Sequence, residues 1–212
     1  LPDFVSGQAR NIHVLRDTQD ALKLKKNAYD SEKVVIIGGG FIGLEVASSM
    51  RMAGLAVDVV EFEPRLLARL SSPQISEFFK LLHVKQGVSI HLGDSVTEIK
   101  YSDNGQASSI KLKSGKFFEC DMLVFGIGIA PNINLAKSLG LCVVDGVMVD
   151  ETYAASDDIY VIGDLAFSEK RSKIRIESVY HAQFSAAVVA ASITGSTVPD
   201  QEAFWFWADQ YD

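Results

Sequence analysis

The stretch VVIIGGGFIGLEVA, residues 34–47, runs from a β-branched apolar segment through three glycines into a pattern of helical period. Within it stands Gly38-x-Gly40-x-x-Gly43, and each glycine has its own task in a strand-turn-helix. Gly38 permits the tight turn, Gly40 lets a pyrophosphate approach the backbone, and Gly43 lets helix and strand pack closely. Backbone N–H groups at the helix start then point at the phosphates, assisted by the helix dipole. A second β-branched run ends on Glu61, 23 residues past Gly38, where a carboxylate can accept hydrogen bonds from both adenosine ribose hydroxyls. Its charge would repel a 2′-phosphate, which favours NAD over NADP. Arg65, four residues on, can either reach such a phosphate or stack on adenine. This reading assigns dinucleotide contacts to Gly38, Gly39, Gly40, Phe41, Ile42, Gly43 and Glu61.

Outward from this turn the chain alternates strand and helix. Asp17 or Thr18 can cap a helix through Asn27, Lys33 to Ile37 is a strand, Phe41 to Ala53 is a helix stopped by Gly54, and Leu55 to Glu61 is the next strand. Ser72-Pro73 reads as N-cap and first helical residue of a segment reaching towards Gly87. Short strands at Ser89 to Leu92, Val96 to Tyr101 and Ser108 to Leu112, with turns at Asp103-Asn104-Gly105 and Ser114-Gly115, form an antiparallel excursion. Met122 to Phe125 is a buried strand entering Gly126-Ile127-Gly128, Pro131-Asn132 opens a short helix, Ile159 to Ile162 is a further strand, and Ser178 to Thr194 is a helix closed by Gly195.

With 212 residues and 48% hydrophobic content, the chain can build a sizeable core. Its longest apolar run near the glycines falls far short of the roughly 20 residues needed to span a bilayer, and its first residues carry no secretory signal. A net charge of −7 argues against broad nucleic-acid binding, which needs clustered Lys and Arg. Cys120 and Cys142 show neither CxxC nor zinc-ligand spacing, so both read as reduced and structural in a cytoplasmic protein, and no metal site is expected.

Two further acids are open to more than one reading. Glu45, two residues past Gly43, can contact the nicotinamide end or simply complement the helix dipole. Asp164 ends the apolar run Ile159 to Gly163, where an acid can hold a polyol or ribose hydroxyl or cap the following turn. The cations Lys170, Arg171, Lys173 and Arg175 form either a docking patch for an acidic protein or a solvated charged loop.

HVLRDTQDA (13–21), VVIIGGGFIGLEVA (34–47), VVEFEPRLLAR (59–69), MLVFGIGIAPN (122–132), IYVIGDLA (159–166), RIESVYHAQ (175–183) and WFWADQYD (205–212) occur in the order typical of one group of proteins. On these stretches the chain resembles the FAD-dependent ferredoxin reductases of the rhodocoxin and putidaredoxin reductase type, within the pyridine nucleotide-disulfide oxidoreductase superfamily. The resemblance implies an α/β fold: a Rossmann-like NAD domain with a parallel sheet and an antiparallel β excursion, plus part of a discontinuous FAD domain. It divides the chain into the end of a first FAD segment (1–13), an NAD domain (14–146), a second FAD segment (147–200) and the start of a C-terminal domain (201–212). It implies FAD contacts at Arg16, Asp164, Val179 and Trp207, and NAD contacts at Gly38, Gly40, Gly43, Glu45, Glu61, Arg69 and Gly128. The implied activity passes electrons from NADH through FAD to a ferredoxin-type iron–sulfur protein, with no side chain acting as acid, base or nucleophile. The family's first FAD fingerprint would precede residue 1, so the chain by itself is expected to bind FAD weakly or not at all and to be inactive. His181 stands where relatives often carry Asn, and a structural role is the plainer reading. Two other readings share these motifs: a nucleotide-responsive binding protein resembling apoptosis-inducing factor, and a disulfide reductase whose cysteines lie upstream.

Overall fold

The structure is a computed structural model that describes residues 5, 9–200, 203, 205 and 207–211. Residues 1–4, 6–8, 201–202, 204, 206 and 212 lie outside the described residues, and with them much of the expected segments 1–13 and 201–212. The chain forms two compact units, the first running to Gly128 and including the residues from Ala208 on, the second Ile129–Trp207.

In the first unit, β1 (Ile12–Val14), β2 (Lys33–Ile37), β3 (Ala56–Glu61), β4 (Ser89–Leu92) and β8 (Met122–Phe125) make a parallel sheet in the order β1-β8-β2-β3-β4. The helices α1 (Thr18–Tyr29), α2 (Phe41–Met52) and α3 (Pro73–Lys85) link these strands, while β5 (Val96–Tyr101), β6 (Ala107–Leu112) and β7 (Phe117–Glu119) form an antiparallel sheet between β4 and β8. Both faces of the parallel sheet are covered, which explains the unbroken apolar run of β2. Val34 and Ile36 pack with Leu24 of α1 and with Val46, Ala47 and Met50 of α2. The alternate residues Val35 and Ile37 pack with Val96, Ile99, Ile110 and Leu112 of the antiparallel sheet. Asp58, buried inside β3, is paired with His91 Nε2 at 2.9 Å and Lys33 Nζ at 3.7 Å, as a buried carboxylate must be. Cys120 lies in this core, its thiol pushed up to about 11 by burial and by the charge of Asp121.

Caps fall where the side chains allow them. Asp17 accepts from the Asp20 N–H at 2.9 Å, and Ser72 accepts from the Ile75 N–H at 3.4 Å. Two expectations change. Ser89–Leu92 belongs to the parallel sheet, paired with β3, because α3 carries the chain back to the starting edge. The antiparallel sheet gains β7 instead, a short strand whose Phe117 and Phe118 are half-exposed or exposed and so carry no alternating signal.

In the second unit, α4 (Asn134–Ser138) precedes β9 (Val147–Met148), β10 (Ala154–Ser156), β11 (Ile159–Tyr160) and β12 (Ala166–Phe167). The strand expected over Ile159 to Ile162 is shorter. Only Ile159–Tyr160 pairs, antiparallel with β10, and Gly163–Leu165 forms a 3-10 turn. Helix α5 (Val179–Thr194) is capped by the Ser178 side chain and ended by Gly195 at φ +69°. Its Phe184 and Val188 bury Val149, Tyr153 and Ala166.

Candidate functional site

Strand order places a switch point between β2 and β8: from β2 the chain moves outward to β3 and β4, then returns to the other side as β8. Ligands of open α/β sheets bind at the carboxyl ends of strands at such a point. Here those ends are glycine. The Gly126 N–H donates to the Ile37 carbonyl at 2.8 Å, and the Gly38 N–H donates to the Val60 carbonyl at 2.8 Å. Gly38 sits at φ +112°, and a Cβ on it would collide with the Gly126 carbonyl. A Cβ on Gly43 would collide with the Gly38 carbonyl, and one on Gly126 would lie 3.2 Å from Gly43 Cα. Three backbones thus interlock without side chains. Gly126 is a site residue that the sequence motif of 38–43 does not reach; its own signal is the Gly-x-Gly that closes a second buried strand.

Gly40 differs from these three. A Cβ there would meet nothing within 4 Å, and Gly40, the N-cap of α2, has no side chain with which to cap the helix. An open approach to the uncapped start of a helix is what a pyrophosphate requires, so these residues fit a dinucleotide. Phe41 is half-buried against Leu44, Leu66 and Leu67, and Ile42 is exposed. Gly39 is clamped by the acid expected to meet the ribose: Glu61 Oε2 accepts the Gly39 N–H at 2.5 Å, and Oε1 accepts the Glu63 N–H at 2.7 Å. A carboxylate oxygen has two lone pairs, so both remain able to accept a hydroxyl. Arg65 is turned away from the phosphate role. It donates to the Ala68 and Ser71 carbonyls and to Ser76 Oγ. Arg69 is exposed on the same loop, and Gly128 lies beyond β8 at φ +97° with open space around it.

Glu45 has a role the sequence did not indicate. The Asp209 backbone N–H hydrogen-bonds its carboxylate. Burial raises its pKa, the hydrogen bond opposes that, and the Asp209 charge adds to it. The neighbouring residues extend the contact. The Tyr211 N–H donates to Ser48 Oγ at 2.7 Å, Tyr211 Oη lies 2.7 Å from His83 Nδ1, and Gln210 Oε1 lies 2.8 Å from His83 Nε2. Because an amide oxygen only accepts, Nε2 carries the proton and the Tyr211 hydroxyl donates to Nδ1. Arg16, also in this unit, is exposed just past β1, its N–H donating to Asp20 Oδ2 at 3.1 Å.

In the second unit Asp164 lies in the turn packed on α5, Val179 opens that helix, and Trp207 is linked to it through Trp205 and Tyr180. The 3-10 turn bearing Asp164 is pinned to this helix by the Gly163 N–H, which donates to Ser185 Oγ at 3.0 Å, and by contact between Gly163 and Ala182. Val179 is the first residue of α5 and is exposed, as is Asp164. Trp207, 60% exposed, lies 5.6 Å from the Trp205 ring, which in turn lies 6.2 Å from Tyr180. His181 is buried, with Nε2 3.2 Å from Tyr153 Oη, and burial lowers its pKa against the opposing charge of Asp164.

The basic loop is less free than its composition suggests. Arg175 is a core residue, its side chain 2% exposed, donating to the Asp164 carbonyl at 2.6 Å and paired with Glu177 at 2.5 Å. It therefore holds the acid's turn and is no part of a surface patch. Lys170 pairs with Glu151 at 2.9 Å, Arg171 donates to the Glu151 carbonyl at 2.8 Å and lies over Tyr153 and Phe184, and Lys173 is exposed. No helix among the described residues is long and apolar enough to cross a membrane.

Comparison with known proteins agrees with this geometry. The profile of the pyridine nucleotide-disulphide oxidoreductase family matches residues 2–186. Terpredoxin reductase of Pseudomonas sp is 39% identical over 99% of the chain and 53% of its own length. A ferredoxin reductase from Rhodopseudomonas palustris superposes with a TM-score of 0.91 at 37% identity, covering 100% of the chain and 53% of that structure. The reductase of a covalent putidaredoxin reductase–putidaredoxin complex does so with a TM-score of 0.92 at 33% identity, covering 100% and 52%. The chain spans about half the length of the curated relatives it matches.

Proposed function

We propose, since the chain belongs to the pyridine nucleotide-disulphide oxidoreductase family, that it is the central part of a flavoprotein oxidoreductase passing electrons from NADH through FAD to a ferredoxin-type iron–sulfur protein. The observation that carries this reading is the glycine interlock at the switch point, with Gly40 left open above it and Glu61 beside it. The backbone of Gly38–Gly43 and the start of α2 take the NADH pyrophosphate, Glu61 and Arg69 its adenosine side, and Glu45 and Gly128 its nicotinamide side. Arg16 meets an FAD phosphate, Asp164 the ribitol hydroxyls, the Val179 N–H the flavin ring, and the Trp207 indole flanks that ring. When bound, the two cofactors supply hydride transfer and the conversion of two-electron to one-electron chemistry. The protein's part is to position, and no side chain here needs to donate or remove a proton. The proposed modules are an NAD domain at 14–146, FAD segments at 1–13 and 147–200, and the start of a C-terminal domain at 201–212, in a cytoplasmic protein.

For the acceptor, the proposed contacts are Lys170, Arg171 and Lys173. Since Arg171 is tied into Glu151 and the Tyr153–Phe184 surface, Lys170→Glu/Lys173→Glu is the cleaner variant. Full-length enzyme carrying it should reduce a ferredoxin with a raised KM and a shallower dependence on ionic strength. Unchanged reduction at every salt concentration would remove this surface from the account. NADH-driven ferredoxin reduction by the full-length protein tests the activity itself, and its loss in Asp164→Ala together with bound flavin tests the second site.

A further inference from the structure

Between β3 and α3 the loop 62–72 lies against the glycine turn. Leu66 is 1% exposed, and its Cδ2 reaches within 2.6 Å of where a Cβ on Gly39 would stand. The Leu67 N–H donates to the Gly39 carbonyl at 3.0 Å, with Leu67 itself at φ +53°, a conformation a leucine adopts only when its surroundings hold it there. Gly39 is therefore held by Glu61 at its N–H, by Leu67 at its carbonyl, and by Glu61 and Leu66 together where a side chain would stand. The loop holds its shape around one guanidinium. Arg65 Nη1 donates to the Ser71 carbonyl and to Ser76 Oγ, both at 2.8 Å, and Nη2 donates to the Ala68 carbonyl at 2.7 Å. Ser76, buried on α3, passes the restraint on by donating to the Leu66 carbonyl at 2.6 Å. A planar fork serving three acceptors is something arginine can do and lysine cannot.

From this we infer that Arg65 is a positioning residue for the adenosine end of the dinucleotide site, and that it takes no part in reading the 2′ position. The inference rests on the dinucleotide reading above and deepens it. Arg65 holds Leu66 and Leu67 against Gly39, so that the Gly39 N–H and the Glu61 carboxylate keep their mutual register. Reaching for a 2′-phosphate would cost all three of its hydrogen bonds, so selection for NADH falls to Glu61.

The test is steady-state kinetics of the full-length flavoprotein with NADH and with NADPH, for Arg65→Lys, Ser76→Ala and Glu61→Ala. Arg65→Lys should raise KM for NADH about tenfold with kcat within about twofold, leave the bound flavin's spectrum unaltered and bring no improvement with NADPH. Ser76→Ala, which removes one acceptor and keeps the arginine, should shift KM the same way by about threefold. Arg65→Lys with an unchanged KM for NADH, or with a loss confined to NADPH, would overturn the inference. Should Arg65→Lys fail to fold, an unchanged KM in Ser76→Ala would overturn it. If Glu61→Ala alone raises KM for NADH, the dinucleotide reading stands and this inference falls; if Glu61→Ala has no effect, both fall.

Discussion

Gly40 and Gly43 stand three residues apart in one turn and are glycines for different reasons. At Gly43 the reason is packing, because a methyl would drive into the Gly38 carbonyl. Gly43→Ala should cost about 2 kcal/mol or more, read from denaturant unfolding. At Gly40 the space is open, so Gly40→Ala should change stability by less than about 1 kcal/mol while weakening NADH binding about tenfold in a direct titration. An alanine at Gly40 that leaves affinity intact would mean that nothing approaches that backbone. Arg175 shows the opposite kind of constraint. It is buried, donates to the Asp164 carbonyl and pairs with the exposed Glu177, so Arg175→Met should lose roughly 1–3 kcal/mol, chiefly by leaving that carbonyl without its donor. The tight turn at Gly38 and the close packing at Gly43 were legible in spacing, while the part Gly126 plays in that packing was not. The burial of Arg175 was not: RSKIR reads as a charged surface loop until the chain folds Glu177 and Asp164 around its last residue.

Residues 209–211 act together as an element, lying across α2 and α3 through Glu45, Ser48 and His83. Burial lowers the His83 pKa, with the hydrogen bond to Gln210 acting against it, while burial raises the Tyr211 hydroxyl to about 12 and keeps it a donor. An unfolded imidazole takes up its proton near 6.5, and the folded one resists until lower pH. Between those values the unfolded state binds more protons. Stability from His83 is therefore complete above about pH 6.5 and falls as the pH drops from there towards its depressed folded pKa. His181, lowered by burial in the same direction, adds to this slope. Melting temperatures across pH 5 to 8 should fall on the acid side, and His83→Gln should start lower at pH 8 but lose less on acidification. A variant that keeps the parent's slope would contradict this sign. The starts of α1 and α3 were readable from the caps Asp17 and Ser72, each of which bonds the first turn after it. The pairing of His83 with Gln210 had no local signature, because its partners stand 127 positions apart. The short strand β7 escaped for a related reason: its pairing with β6, not its own pattern, makes it a strand.

At the scale of the whole molecule, one parallel sheet with a switch point carries the glycine turn of residues 38–43. A second unit packs the turn of Asp164 on α5, whose first residue is Val179, with Trp207 linked to that helix through Trp205. The first arrangement could be read from the stretch 34–61 because strand, turn, helix and acid follow one another in sequence. The second was implied only by resemblance, since the turn of Asp164, the helix start and Trp207 share no local motif. The central claim is that the Gly38–Gly43 turn presents NADH to a flavin. It is tested most directly by anaerobic titration of the full-length flavoprotein with NADH and with NADPH, following the flavin absorbance. The flavin should bleach completely at about one equivalent of NADH and respond far more weakly to NADPH. A flavin that stays oxidised under excess NADH, or that bleaches equally with both nucleotides, would contradict it.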